Sequence, residues 1–307
     1  MNINYYRYGS IAFFKGVIVT FIVIVMAVGA TSALALPAHH RHPSKSATST
    51  GSLPTPTLVP SNLSVNETLI ANGNWWKPEA RTTWQIVLSQ SVRTGNLQNV
   101  EVYDVDLFDT SIETINTLHA AGIKVICYFS AGSYENWRPD AHAFPQSDLG
   151  SELTGWAGER WLNTRSSAVR SIMTERIQLA KSKSCDGLDP DNVDGYNNNN
   201  GLRLTQDDAI DYLTFLAQEA HIRGMAVGLK NAGEIVSKTV HLVDWEVNEQ
   251  CALYNECDLY MPFISSNKPV FHIEYDNSGS QTTCSKCPSE FSTVMKRLEL
   301  DEWVVEC

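Results

Sequence analysis

Basic side chains are scarce in this 307-residue chain, where 23 Lys and Arg stand against 34 Asp and Glu for a net charge of −11. The shortage is sharper past the N-terminal quarter. Residues 1–75 carry Arg7, Lys15, Arg41 and Lys45 against Glu67 alone, a sum of +3 that leaves −14 for the remainder. A body of that sign repels nucleic acid and attracts cations, a cationic polymer included. No glycine-rich dinucleotide fingerprint follows the first strand-like run, so nothing asks for a Rossmann cofactor. No second ligand pair at zinc-finger spacing accompanies Cys284-x-x-Cys287, which favours a disulfide or thiol there over zinc. A His-x-x-x-His spacing is missing near the acidic strand ends, and with it the metal site a polysaccharide deacetylase would use. With 43% hydrophobic and 19% charged residues, the chain is neither disordered nor fibrous in composition, and one catalytic-size domain is expected.

A long apolar run occurs at 16–36, behind Arg7 and Lys15, and Ala33-Leu34-Ala35 offers the small residues a signal peptidase needs. Export follows. A run of about 20 residues can also stay uncleaved and cross a bilayer as a signal anchor, so residues 1–36 read as a signal peptide or a membrane tether. The product is then secreted, or held at the cell surface. Residues 37–73 are rich in Ser, Thr and Pro with little to bury, a linker carrying N-glycosylation acceptors at Asn62 and Asn66. The folded domain is expected over 74–307, as a monomer. All seven cysteines lie in it, in keeping with an oxidising compartment.

Past Trp75 the pattern alternates short apolar runs with helical periods. Strands are predicted at 84–88, 100–105, 124–129, 187–191, 226–229, 243–247, 258–262 and 270–274, with helices at 111–121, 166–183, 205–223 and 232–240 between them. Eight strands in βα order predict an α/β fold, a (β/α)₈ TIM barrel. Such barrels place their chemistry where strands end. Polar residues crowd there: Asp104 and Asp106; Tyr128 and Ser130, with Glu135, Trp137 and Arg138 just after; Asp189, Asp191 and Asn192; Lys230 and Asn231; Glu246, Asn248 and Glu249; and Glu274 and Tyr275.

Each has a plainer alternative. Asp104 and Asp106 can cap a helix, or form the D-x-D of a sugar-nucleotide transferase. Lys230 can be a salt-bridge partner that keeps carboxylates ionised. Trp245 can be a core aromatic or a face for a sugar ring. Asp189 and Asp191, two apart on an extended backbone, share a face, where like charges raise each other's pKa. That pairing suits acid/base chemistry or a metal cage.

The succession WQIVLS, VYDVDLFDTS, VICYFSAGSYENWRPD, CDGLDPDNVDGY, HIRGMAVGLKN, WEVNEQC and KPVFHIEY resembles glycoside hydrolase family 114, the endo-α-1,4-polygalactosaminidases, over 74–307. The resemblance implies a TIM-barrel hydrolase cutting α-1,4-linked galactosamine polymer, partly or fully deacetylated. It places the catalytic carboxylates on Asp191 of the D-N-x-D element, as nucleophile, and Glu249 of the N-E-Q-C element, as general acid/base. Asp189, where the family also admits Glu, would bind or support. Glycosidic cleavage by two carboxylates requires neither metal nor cofactor. The remaining site residues would contact substrate: Asp104, Asp106, Tyr128, Glu135, Asn192, Lys230, Asn231, Trp245, Glu246 and Glu274. The alternative is a non-catalytic exopolysaccharide-binding or adhesion module on the same barrel.

Overall fold

The computed structural model describes residues 73–275 and 284–307. The expected signal or anchor segment, nearly all of the linker and both glycosylation acceptors lie outside the described residues. No helix among the described residues is long and apolar enough to cross a membrane.

Strands and helices follow one another in βα order. They are β1 (Trp84–Val87), β2 (Val102–Asp106), α1 (Ile112–Ala120), β3 (Lys124–Ser130), β4 (Ser133–Glu135), β5 (Leu149–Glu152), β6 (Glu159–Leu162) and α2 (Ser167–Ser182). Next come β7 (Gly187–Asp191), α3 (Gln206–His221), β8 (Ala226–Lys230), α4 (Val236–Thr239), β9 (Trp245–Glu249), α5 (Cys251–Tyr254), α6 (Met261–Ser265), β10 (Val270–Tyr275), β11 (Ser292–Lys296) and β12 (Val304–Glu306).

Eight strands form a parallel sheet in the order β1-β2-β3-β7-β8-β9-β10-β11, and β12 adds to β11 antiparallel. The seam back to β1 is bridged by the C-terminal segment: Leu88 N donates to Leu300 O at 2.9 Å, and Gln85 Nε2 to Glu302 O at 3.1 Å. The result is a TIM barrel with one antiparallel stave at its seam. A separate antiparallel sheet, β4-β6-β5, stands beside it between β3 and α2.

The register sorts side chains into two layers. Trp84, Ile86, Val102, Ile126, Ala226, Trp245, Val247, Phe271, Ile273 and Val294 fill the barrel interior. Residues one out of phase, such as Val105, Cys127, Phe129, Leu188, Val227 and Leu229, meet the helices outside. The helices present matching stripes, with Ile115 and Leu118 on α1 and Leu213, Leu216, Ala217 and Ala220 on α3. Ser111 caps α1, and a Thr205–Asp208 capping box starts α3. Each satisfies amides that the first turn leaves open.

Two expectations change. The 258–262 run is helical rather than extended, a 3₁₀ turn over Cys257–Tyr260 leading into α6. Pro262 sits in the first turn of α6, where its missing N–H costs nothing. The strand that completes the barrel is β11 instead. Three disulfides form, Cys127–Cys185, Cys251–Cys257 and Cys284–Cys307. The Cys284-x-x-Cys287 pair is thereby unavailable as a joint metal ligand. Burial pushes the Cys287 thiol up to about 11.

Candidate active site

Cα partners in a parallel sheet share a face, so the register carries the inward phase from strand to strand. Tyr128 pairs with Asp189 and Ser130 with Asp191; Lys230 pairs with Val247, and Ile273 with Glu249. Asp104, Asp106, Tyr128, Asp189, Asp191, Lys230, Glu249 and Tyr275 are all in that phase. Glu246, Asn248 and Glu274 are not.

Asp191 and Glu249 close β7 and β9 at the C-terminal mouth, and one ammonium joins them. Lys230 Nζ lies 3.7 Å from Asp191 Oδ2 and 3.8 Å from Glu249 Oε2. The two carboxylate oxygens therefore stand no further apart than those distances laid end to end. Both carboxylates are partly exposed, at 19% and 17% of their side-chain surface, whereas Lys230 is 2% exposed. Substrate can reach the acids but not the base between them.

The two acids are held alike. Tyr128 OH donates to Asp191 Oδ2 at 2.8 Å, and the Asn192 backbone N–H to Oδ1 at 2.7 Å. Tyr275 OH donates to Glu249 Oε1, and Asn231 Nδ2 to Oε2 at 3.0 Å. The Asn231 amide oxygen in turn accepts from Glu249 N at 2.9 Å, so one asparagine clamps both backbone and carboxylate. Burial alone would raise the Glu249 pKa, but Lys230, Tyr275 and Asn231 outweigh it and hold the carboxyl below its usual value. Burial would likewise depress Lys230, yet the surrounding Asp191, Glu249, Asp189 and Asp104 raise it, so the ammonium stays charged.

The backbone leaves these three strands through left-handed residues: Asn192 at φ 62°, Asn231 at φ 51° and Gln250 at φ 65°. Asparagine tolerates this region better than most residues, and each such residue swings the chain sharply off the rim. Asn192 Nδ2 is anchored on Ser130 Oγ at 2.9 Å, and Ser130 Oγ meets Ser133 Oγ, which donates to Glu159 Oε2 at 2.7 Å. Burial raises Glu159 to about 8.

Below the pair, Asp104 and Asp189 are fully buried, and neither carboxylate finds a hydrogen-bond partner among the described residues. Burial without a donor favours the protonated, neutral form of a carboxyl. Burial, then Asp189, drives Asp104 well above the carboxylate range. Burial raises Asp189 to about 7 against the opposing pull of Lys230, 3.8 Å away.

Several residues expected to contact substrate are placed elsewhere. Asp106 accepts both arms of Arg138 at 3.1 and 2.7 Å and caps the Phe108 and Asp109 amides. Glu135 meets the same guanidinium at 2.9 Å, and Arg176 reaches from α2 to bind Asp140. These acids are buried and occupied, holding the loops after β2 and β3. Glu274 accepts from Ala252 N at 2.9 Å and from His272 Nε2 at 3.1 Å, on the outer face under α5. Glu246 is buried on that face as well, and burial pushes its pKa well up.

Trp245 is the barrel floor. It begins β9, four residues and about 13 Å below Glu249 at the rise of a strand, and packs against Phe271 and Trp76. Gly187 and Gly228 make room for it: a Cβ there would come within 2.3 and 2.1 Å of its indole. Lys230, Asn231 and Asn192 contact the two carboxylates directly. Tyr275 ends its strand with Glu274 but is absent from the expected substrate contacts, although the alternation within HIEY puts it, and not Glu274, in the phase of Ile273 and hence of Glu249.

A barrel with two solvent-reaching acids from different strands at its C-terminal mouth is the architecture of a TIM-barrel glycosidase. A profile of glycoside-hydrolase family GH114 matches residues 65–307. The chain belongs to that family and is a glycoside hydrolase. Among solved structures, it is 50% identical to Aspergillus fumigatus Ega3, crystallised in complex with galactosamine, over 76% of this chain and 97% of that one, with a TM-score of 0.73. The glycoside hydrolase domain of PelA from Pseudomonas aeruginosa shares the fold at 10% identity, covering 73% of this chain and 98% of that one, with a TM-score of 0.60. No curated protein sequence matches.

Proposed function

We propose that the protein is an endo-acting glycosidase of α-1,4-linked galactosamine polysaccharide, with Asp191 and Glu249 as its catalytic pair. The observation that carries this reading is the convergence of both carboxylates, from separate strands, on the single buried Lys230 ammonium at the mouth. Asp191 attacks the anomeric carbon as Glu249 protonates the departing glycosidic oxygen; Glu249 then takes a proton from the water that attacks the same carbon and displaces Asp191, restoring both carboxyls. The environment of Glu249 favours its ionised form, so the fraction carrying the proton that cleavage needs grows as pH falls. Tyr128 and Asn192 stabilise the charge on Asp191.

The polymer's chemistry fits the surroundings. Free-amine galactosamine is cationic, the body of the protein is acidic, and the relative crystallised with galactosamine supports an amino sugar in this barrel. Trp137 and Tyr254, 47% and 46% exposed, lie beyond the ends of β3 and β9 and offer aromatic faces to a long chain. Three disulfides and the apolar 16–36 run support export, with that run either removed or kept as a tether, and the barrel acting as a monomer.

Wild-type protein incubated with deacetylated polygalactosamine should release oligomers detectable by mass spectrometry. Asp191→Asn and Glu249→Gln should each lower turnover by about 10³-fold or more with unfolding temperature preserved. Near-wild-type hydrolysis by either variant would sink the assignment. Retention of the polymer by wild type without shortened chains would favour the binding-module reading.

A further inference from the structure

Lys230 is a buried cation among the acids of the site. Its ammonium is almost equidistant from three carboxyls: 3.7 Å from Asp191, and 3.8 Å from both Asp189 and Glu249. The groups facing it are Asp104 on β2, Tyr128 on β3, whose ring centroid is 5.3 Å away, Asp189 and Asp191 on β7, and Glu249 on β9. Glu246 acts on the same region through the sheet, and Tyr275 faces it across Glu249. Four inward carboxyls around one cation would leave a strongly negative, buried cluster if all were ionised, and such a cluster is expensive away from water.

The burial of Asp104 and Asp189 resolves the excess. Both carboxyls are fully enclosed and neither accepts a hydrogen bond among the described residues, a setting that favours their protonated, neutral form. The lower pair then presents little net charge to Lys230, whose field is left to the upper pair.

We propose that Lys230 is a positioning residue that pins Asp191 and Glu249 to one point and sets the pH window of hydrolysis, and that Asp104 and Asp189 form its proton-holding, neutral seat. This rests on the reading of Asp191 and Glu249 as the catalytic pair. Neither Lys230 nor its seat touches substrate. The positive charge favours the ionised form of Glu249, and the seat leaves that charge undivided while its protons stay in place.

The test uses the full chain and two variants of opposite expectation. Lys230→Met removes the cation, so the Glu249 pKa rises and the alkaline limb of the kcat/KM profile on deacetylated polygalactosamine moves to higher pH, by about one unit or more. Asp189→Asn replaces a protonated acid by a neutral amide of the same shape, so that limb stays within about half a unit of its wild-type position. A uniform loss across pH in Lys230→Met, with the limb unmoved, overturns the positioning role. A displacement of the limb by about a unit or more in Asp189→Asn overturns the neutral seat. Carboxyl ¹³C titration of Glu249 in folded wild type and variants, without substrate, reads the same shift. It therefore decides the inference even where wild type fails to shorten the polymer, an outcome that would count against the proposed function alone.

Discussion

Replacing Tyr275 by Phe should move the alkaline limb of activity upward. The phenol donates to Glu249 Oε1, and removing it leaves Asn231 and Lys230 as the remaining support of that carboxylate. A hydrogen bond to a charged group contributes about 1.5–3 kcal/mol, and one pKa unit corresponds to about 1.4 kcal/mol. Because Glu249 keeps 17% of its side-chain surface exposed, water can replace part of the lost donor. The lower end of the range applies, about one pH unit. The sign is fixed by the direction of the present shift. Tyr275 helps hold the Glu249 pKa down, so its removal raises that pKa and keeps the acid protonated to higher pH. The assay is the pH dependence of kcat/KM on soluble galactosamine oligomers, with thermal unfolding run alongside. A limb that stays in place, or moves toward acid, would refute both the hydrogen bond's role and the assignment of Glu249 as the group that must be protonated.

Two further outcomes test the frame around the site. Arg138→Met strands the buried Asp106 and Glu135 carboxylates, at about 3–5 kcal/mol, so calorimetry should show a Tm lower by on the order of 10 °C, with kcat/KM at 25 °C largely kept. Lost activity at unchanged Tm would instead return those acids to substrate binding. Gly132→Ala places a Cβ 1.7 Å from the Asn192 carbonyl oxygen, which must move and carry the Asp191 rim with it. Activity should fall by about tenfold or more, and an active, equally stable variant would show the rim to be less tightly placed than described.

Much of the barrel was legible because its strands are short, apolar and regularly spaced. The 187–191 strand and the stripe on α3 were read as they stand. The 258–262 run was misread because Leu259, Tyr260 and Met261 are too few to carry a period of their own, and only Pro262 hinted at a helix start. The strand β11 went unseen because its inward positions hold Ser292, Val294 and Lys296, a polar pattern that hydropathy does not flag.

At the site, proximity to a strand end was taken as membership. The two-residue period separates the cases: Glu249 and Tyr275 face the mouth, so Glu246 and Glu274 cannot, and Trp245 has the right face at the wrong height. What alternation could not supply was the partner of each acid. Arg138 lies on a loop and Arg176 on a helix, and only the folded chain brings them to Asp106, Glu135 and Asp140.

The left-handed asparagines at the ends of β7 and β8 give the enzyme a route to adjust its chemistry without rebuilding its frame. Asn231 is a hinge by its backbone and a clamp by its side chain, and aspartate and glycine can each take over the hinge. Glycine would silence the clamp, while aspartate would set a second negative charge against Glu249. A change at this one position would therefore retune Glu249 and leave the frame as it is.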